Sequence, residues 1–181
     1  MNKNEYLMQT NKTNLNTKEK VMNKVSINGI ETGIGYSIKS ITNLIDYKNC
    51  ESFEIRKIST RDMMISSNDS CKNLYVIATD QNEDGYSEND AKIVKMVLKR
   101  KKNQGFGSVR IINNLNLDSS YESFKNILGS ANEQIDRGNT VQYTWYENGI
   151  VFSMTYLMGK VSELSLTNVL QMGGLKNERL L

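Results

Sequence analysis

The sequence predicts an α+β protein made of two related repeats, in which short helices pack on one face of antiparallel sheets. The first observation is an apolar pattern, at i, i+3, i+6 and i+7, that occurs twice with a constant offset. Its members are Ile38, Ile41, Leu44 and Ile45 in the first half and Tyr121, Phe124, Ile127 and Leu128 in the second. The second observation is that strand-like segments follow each occurrence.

Each occurrence of the apolar pattern predicts one face of a short amphipathic helix, because residues at these spacings lie on the same side of an α-helix. Ser37 stands where the first helix needs an N-cap, and Ser119 or Ser120 stands there in the second. Gly129 follows the second pattern directly and is a predicted C-cap.

Three strands are predicted after the second helix. Residues 141–146 alternate and are rich in aromatics, Asn148-Gly149 is a strong hairpin signal, and residues 150–156 form the next strand. A turn at Met158-Gly159-Lys160 leads to residues 161–166, which alternate again. The sequence therefore predicts a three-stranded antiparallel meander.

The first half follows the same plan with longer connections. Strands are predicted at residues 53–58, 63–66, 74–79 and 91–98, and short extended segments precede the helices at residues 25–30 and 109–112. The domain boundaries that follow are a disordered N-terminal tether at 1–22, a first repeat at 23–98, a basic, Gly-containing linker at 99–108 and a second repeat at 109–181.

The composition argues against catalysis and against nucleic acid. The chain has no His, which removes the commonest general base and most catalytic zinc sites. Lys and Arg exceed Asp and Glu by only +3, a balance that does not indicate a nucleic-acid surface. We therefore predict that the protein is not an enzyme and requires no cofactor.

The cellular location stays open between two alternatives. Residues 1–24 contain no apolar core of a signal peptide, and no stretch approaches the ~20 apolar residues of a membrane span. A tether at 1–22 would follow a signal or lipid anchor in an envelope or secreted protein, and Cys50 and Cys71 would then be able to pair. In the cytoplasm they would be two free thiols.

The sharpest local motif is an acidic loop that matches the first half of a calcium-binding loop, D-x-[DN]-x-[DN]-G. The ligands it would offer are Asp80, Asn82, Asp84, Tyr86 and Glu88. Gly85 allows the sharp turn, but Ala91 stands at the position of the bidentate Glu, and the flanks are strand-like. The alternative interpretation is a solvated hairpin loop, in which Asp, Asn and Gly are expected.

A basic cluster at residues 99–102 lies close to Lys92 and Lys95. It would contact phosphate or an anionic membrane surface. The alternative is a solvated linker with lysines that prevent pairing of an edge strand.

The aromatic strand of the second half is the predicted protein-binding surface, formed by Tyr143, Trp145 and Tyr146. Tyr143 and Trp145 share one face of the strand, and Tyr146 lies on the other. Because Tyr and Trp are enriched at binding hot spots, an exposed face here would suit a protein partner. The alternative is that Trp145 belongs to the core.

The second half also resembles a known family. It runs from Ser119-Ser120 through a helix ending in Ile127-Leu128-Gly129 to Tyr143-Thr144-Trp145-Tyr146, Gly149 and Gly159-Lys160-Val161. This order resembles the repeat of the beta-lactamase-inhibitor-protein-like superfamily, which includes the SmpA/OmlA outer-membrane assembly lipoproteins. The resemblance covers residues 115–168 and, loosely, 30–98, where the helix-ending glycine and the Tyr-x-Trp strand are missing. It implies a non-catalytic envelope or secreted protein that binds another protein.

The predicted function is therefore a protein-binding module of inhibitor or envelope-assembly type. The alternatives are a calcium-stabilised structural module and a cytoplasmic regulatory or immunity protein.

Overall fold

The computed structural model describes residues 23–41, 91–100 and 109–171, together with the backbone of three further strands. In these residues the chain forms twelve strands and one complete helix. They are β1 (Lys24–Ile27), β2 (Ile30–Gly33), β3 (Phe53–Lys57), β4 (Asp62–Ser67), β5 (Leu74–Thr79), β6 (Lys92–Lys99), β7 (Val109–Ile112), β8 (Leu115–Asn116), α1 (Tyr121–Leu128), β9 (Glu133–Asp136), β10 (Thr140–Glu147), β11 (Ile150–Leu157) and β12 (Lys160–Asn168). A helical turn also starts at residues 39–41, at the border of the described part.

The strands form two sheets, and both sheets are antiparallel at every pairing. The smaller sheet has the order β2-β1-β7-β8, and the larger has the order β3-β4-β5-β6-β12-β11-β10-β9. Strands from the two halves meet in the middle of each sheet, β1 with β7 and β6 with β12. The prediction of a sheet-rich α+β fold is confirmed at this level.

Four hairpins turn through two residues that both have positive φ, the geometry of a type I′ turn. The turns are Asn28-Gly29, Asn113-Asn114, Asn148-Gly149 and Met158-Gly159. The turn at Asn28-Gly29 shows that the prediction of one extended segment at residues 25–30 was wrong. Asn and Gly tolerate positive φ, so the chain folds back there, and β1 and β2 pair from Lys24↔Gly33 to Ile27↔Ile30.

One face of the larger sheet, called the inner face below, contributes to a single buried apolar cluster. Leu98, Leu164 and Met154 lie side by side across β6, β12 and β11, and each is at most 1% exposed. Phe124 and Leu128 of α1 and apolar side chains of β1 and β7 belong to the same cluster. Burying a side chain of this size contributes about 1.5–3 kcal/mol, so this cluster, which draws on both halves, is the main source of stability in the described part.

Helix α1 begins and ends at the predicted caps. The Ser120 hydroxyl accepts the Ser123 N–H at 3.3 Å. Gly129 has a φ of 80°, and its N–H donates to the Lys125 carbonyl at 2.8 Å. No helix in the described part is both long and apolar enough to cross a membrane.

Candidate binding surface

The three predicted binding residues lie on two faces of β10, as the alternation requires. Trp145 is on the inner face and is 2% exposed. Its indole N–H donates to the Gly129 carbonyl at 3.0 Å, and its ring lies 5.5 Å from Phe152. A partner cannot reach this side chain, so we remove Trp145 from the predicted surface. Its role is to join the end of α1 to the sheet.

Tyr143 is half-buried on the same inner face. Its ring stacks on Tyr121, the first residue of α1, with centroids 3.7 Å apart and planes 8° from parallel. It also meets Tyr156 edge to face at 5.7 Å, and its ring centroid lies 6.5 Å from that of Trp145. Burial raises the pKa of the Tyr143 hydroxyl, and nearby Tyr121 and Glu122 add to this effect. Tyr121 and Tyr143 are both only partly exposed, so this stack offers a partner less area than a fully exposed ring would.

Tyr146 lies on the opposite face, called the outer face below, and is 46% exposed. Its hydroxyl donates to the Glu133 carboxylate at 2.7 Å, and its backbone N–H donates to the Asn132 side-chain oxygen at 2.8 Å. The hydrogen bond to Glu133 raises the pKa of Tyr146, because it stabilises the protonated phenol. Two contacts from the β9 region therefore hold one exposed aromatic ring in a fixed position.

The outer face around Tyr146 consists mainly of small polar side chains. Across β10, β11 and β12, the cross-strand rows are Tyr146–Val151–Thr167, Thr144–Ser153–Ser165 and Gln142–Thr155–Glu163. The Thr144 and Ser153 hydroxyls are 3.1 Å apart and hydrogen-bonded. Within these three rows Tyr146 is the largest exposed apolar side chain. Ile135 of β9 pairs with Gln142 on the same face and is 40% exposed, so it adds to the apolar area.

Strand β9 forms the edge of the larger sheet beside Tyr146, and all four of its residues are exposed. The Arg137 N–H donates to the Thr140 carbonyl at 2.9 Å. This bond identifies Arg137 and Thr140 as a hydrogen-bonded pair and so determines which residues of β9 bond to β10. Because these bonds alternate along an antiparallel pair, the backbone groups of Gln134 and Asp136 point away from β10. Within the described strands, β9 pairs with β10 alone.

Comparisons with protein-family models, with curated proteins and with solved structures gave no match for this chain. Its function is therefore argued from its own geometry.

The acidic side chains of the described part mostly form surface ion pairs. Glu31 is 2.8 Å from Lys24, Asp118 is 2.8 Å from Arg100, and Glu163 is 3.4 Å from Lys99. The Arg100 guanidinium beside Asp118 lowers the pKa of that carboxyl group. Arg100 and Lys99, two members of the predicted basic cluster, are thus partly neutralised by these acids.

The predicted calcium ligands Asp80, Asn82, Asp84, Tyr86 and Glu88 lie outside the described residues, as do Cys50, Cys71 and residues 101–108. Across the described ranges, no group of three or more His, Cys, Asp or Glu side chains could hold a metal ion. The calcium site and the disulfide therefore stay predictions.

Sequence analysis missed Asn132 and Glu133, the two residues that fix Tyr146. Strand β9 shows no apolar alternation, so nothing in its own composition indicated a strand. The available signal was the turn between β9 and β10, where Gly138 has a φ of 77° and is followed by Asn139. Gly in the first of two turn positions is typical of a type II′ hairpin.

Proposed function

We propose that this protein is a non-catalytic protein-binding module of inhibitor or envelope-assembly type, and that its partner contacts the outer face around Tyr146. The observation that carries this proposal is the exposed Tyr146 ring, 46% accessible yet fixed at its hydroxyl and at its backbone N–H. A side chain that is already ordered loses little conformational entropy on binding, and Tyr is enriched at hot spots.

The surroundings of Tyr146 support a protein partner rather than a small ligand. Small ligands favour concave, mostly apolar pockets, whereas Tyr146 stands among Ser, Thr and Val side chains on a sheet face. An aromatic anchor within a polar surround is the usual anatomy of a protein interface. The adjacent edge of β9, which no other described strand pairs with, adds main-chain groups that an extended partner segment could bond.

The proposal includes two related repeats, each with a helix on one face of its sheet. The strand orders support this, because each sheet is symmetric when β1–β2 is matched with β7–β8 and β3–β6 with β9–β12. The segments before the helices support it too. The Ile93 N–H at the start of β6 donates to the Tyr36 carbonyl, and the Val161 N–H at the start of β12 donates to the Leu117 carbonyl.

Affinity capture with matched variants tests the proposed surface. Wild-type protein and Tyr146→Ala would be used as baits in extracts of the source cells, and captured proteins quantified. We expect one partner to be retained by the wild type and lost by Tyr146→Ala. With purified partner, we expect Kd to rise by about 30-fold or more, the size of a hot-spot residue.

Tyr36→Ala is the matched control, because the Tyr36 hydroxyl also donates to a carboxylate, Glu31, at 3.0 Å. Tyr36 packs against the buried inner cluster, and its backbone carbonyl accepts the Ile93 N–H at the start of β6. Its variant should keep the partner once compared at equal folded fraction. A partner that binds Tyr146→Ala as tightly as the wild type would remove Tyr146 from the interface. Equal loss with both variants would indicate a general effect of tyrosine removal.

A further inference from the structure

One of the four type I′ turns has an unusual first residue. In three of them the first turn residue is Asn, namely Asn28, Asn113 and Asn148. In the fourth it is Met158, with a φ of 52°. Asn is several-fold enriched at positive φ because its short polar side chain bonds nearby backbone, whereas an unbranched apolar side chain gains nothing there. Met158 is therefore in a strained conformation that Asn would relieve.

Packing does not compensate this strain. The Met158 side chain is 89% exposed, and the preceding Leu157 is 40% exposed. Such a residue lowers the stability of the free protein in two ways. Its backbone conformation is strained, and its apolar side chain is exposed to water. Such a residue is typical of a contact made only in a complex.

Cations flank this apolar turn on the outer face. Leu157 pairs with Lys160 on β12 and with Thr140 on β10, and the Arg137 N–H bonds the Thr140 carbonyl. Paired residues of neighbouring strands point to the same face, so Arg137, Thr140, Leu157 and Lys160 form one row. Arg137 and Lys160 are exposed, and they lie on opposite sides of Leu157.

The acidic groups near this row are largely engaged. Asp118 accepts from Arg100 at 2.8 Å, and Glu163 lies 3.4 Å from Lys99. The Asp136 carboxylate accepts the Gly138 N–H at 2.8 Å in the neighbouring turn. Arg137 and Lys160 make no ion pair with other described residues. Lys160 still lies near enough to Asp118 to help Arg100 lower the pKa of that carboxyl group, so its charge is only partly available to an external anion, whereas that of Arg137 is available.

We propose that the Leu157–Met158 turn is an apolar anchor that enters the headgroup region of an anionic lipid surface, while Arg137 and Lys160 contact lipid phosphates. A protruding apolar tip between two cations suits this environment, because long basic side chains reach the headgroups while apolar ones enter the acyl boundary. A protein pocket would cover the apolar tip equally well but gives no reason for cations on both sides.

Binding to vesicles tests the proposal. Full-length protein would be sedimented with vesicles of phosphatidylcholine alone and with vesicles containing equal parts of phosphatidylcholine and phosphatidylglycerol. We expect binding to the anionic vesicles that falls as salt is raised. Met158→Asn should weaken this binding about ten-fold, because it removes the apolar side chain that the lipid would bury. It should also raise Tm by about 2–4 °C, because it relieves the strain.

Three control variants separate the anchor from other effects. Met158→Leu keeps an apolar side chain and should bind as the wild type does. Asn148→Ala adds strain in the matching turn at the other end of the sheet, and should lower Tm without changing vesicle binding. Tyr146→Ala should also bind vesicles normally, so failure of the proposed protein interface and failure of the lipid anchor are distinguishable.

Two results would overturn the lipid assignment. One is wild-type protein that does not sediment with anionic vesicles, and the other is Met158→Asn that sediments as the wild type does. If vesicles are ignored and Met158→Asn instead weakens binding of a purified protein partner, the turn occupies a protein pocket. Replacing Arg137 and Lys160 by Gln should reduce binding to anionic vesicles alone, and an equal reduction on phosphatidylcholine would contradict the role of charge.

Discussion

The inner and outer faces of the larger sheet differ most clearly at two consecutive residues of β10. Trp145 is 2% exposed and bonded to the end of α1, whereas Tyr146 is 46% exposed and bonded to edge strand β9. The inner face carries large apolar side chains in rows across β6, β12, β11 and β10, whereas the outer face of β10, β11 and β12 carries mainly small polar side chains. The inner face therefore supplies most of the folding energy, and the exposed positions of the outer face, such as Tyr146, are less constrained by packing.

The largest expected difference between the faces is in how much the free energy of unfolding falls when a side chain is replaced by Ala. Phe152 is 1% exposed on the inner face, and Phe152→Ala should lower the free energy of unfolding by about 3–5 kcal/mol. The adjacent Val151 points to the outer face and is half-buried, so Val151→Ala should cost about 1 kcal/mol or less. Urea unfolding of the two variants, with the slope m compared, measures both values.

Similar losses of unfolding free energy in the two variants would contradict this difference between the faces. A large loss in Val151→Ala would mean that part of the chain covers the outer face as tightly as α1 and the smaller sheet cover the inner one. The outer face would then be unavailable to the partner proposed for Tyr146.

Much of the second half was predictable because its strands alternate on a period of two. The predicted strands at 141–146, 150–156 and 161–166 lie within β10, β11 and β12, and the caps Ser120 and Gly129 are as expected. These elements are specified locally, by side-chain alternation, turn residues and capping hydroxyls.

What the sequence could not supply is which face of β10 is covered. Alternation separates Tyr143 and Trp145 from Tyr146, but the inner face is decided by where α1 and the smaller sheet lie, and this depends on contacts distant in sequence. Strand β9 was missed for a related reason. Its residues are all exposed, so they carry no burial pattern, and the strand is defined only by pairing with β10.

A smaller difference between the faces is expected in how much the hydroxyl groups of Tyr156 and Tyr146 contribute to the free energy of unfolding. The Tyr156 hydroxyl, on the inner face, donates to the Ser119 carbonyl at 3.2 Å. Tyr156→Phe should lower the free energy of unfolding by about 0.5–1.5 kcal/mol at neutral pH, the net contribution of a neutral hydrogen bond. Thermal unfolding at neutral pH gives this value.

Tyr156→Phe should also change how the stability of the protein depends on pH in the alkaline range. Burial raises the pKa of Tyr156 above its ordinary value of 10.0, so the unfolded chain loses this proton first as pH rises. The stability that the native state gains by holding this proton is fully present below about pH 10. It is lost as the pH increases above that value. Wild-type Tm should therefore fall above pH 10, and it should fall less steeply in Tyr156→Phe. Because burial also raises the pKa of Tyr143, some fall should remain. Parallel curves for the two proteins would contradict this assignment.

The smallest stability effect is expected for Tyr146→Phe. Its hydroxyl bonds Glu133 at the surface, where water replaces a lost partner, so the change in free energy of unfolding should stay within about 0.5 kcal/mol. The variant keeps the exposed ring but lacks the hydroxyl that fixes it to Glu133, so partner binding should weaken less than in Tyr146→Ala. Measuring Kd for both variants separates the contribution of the ring from that of its fixed position. If Tyr146→Phe binds as weakly as Tyr146→Ala, the Tyr146–Glu133 hydrogen bond, rather than the apolar ring, is what the partner requires.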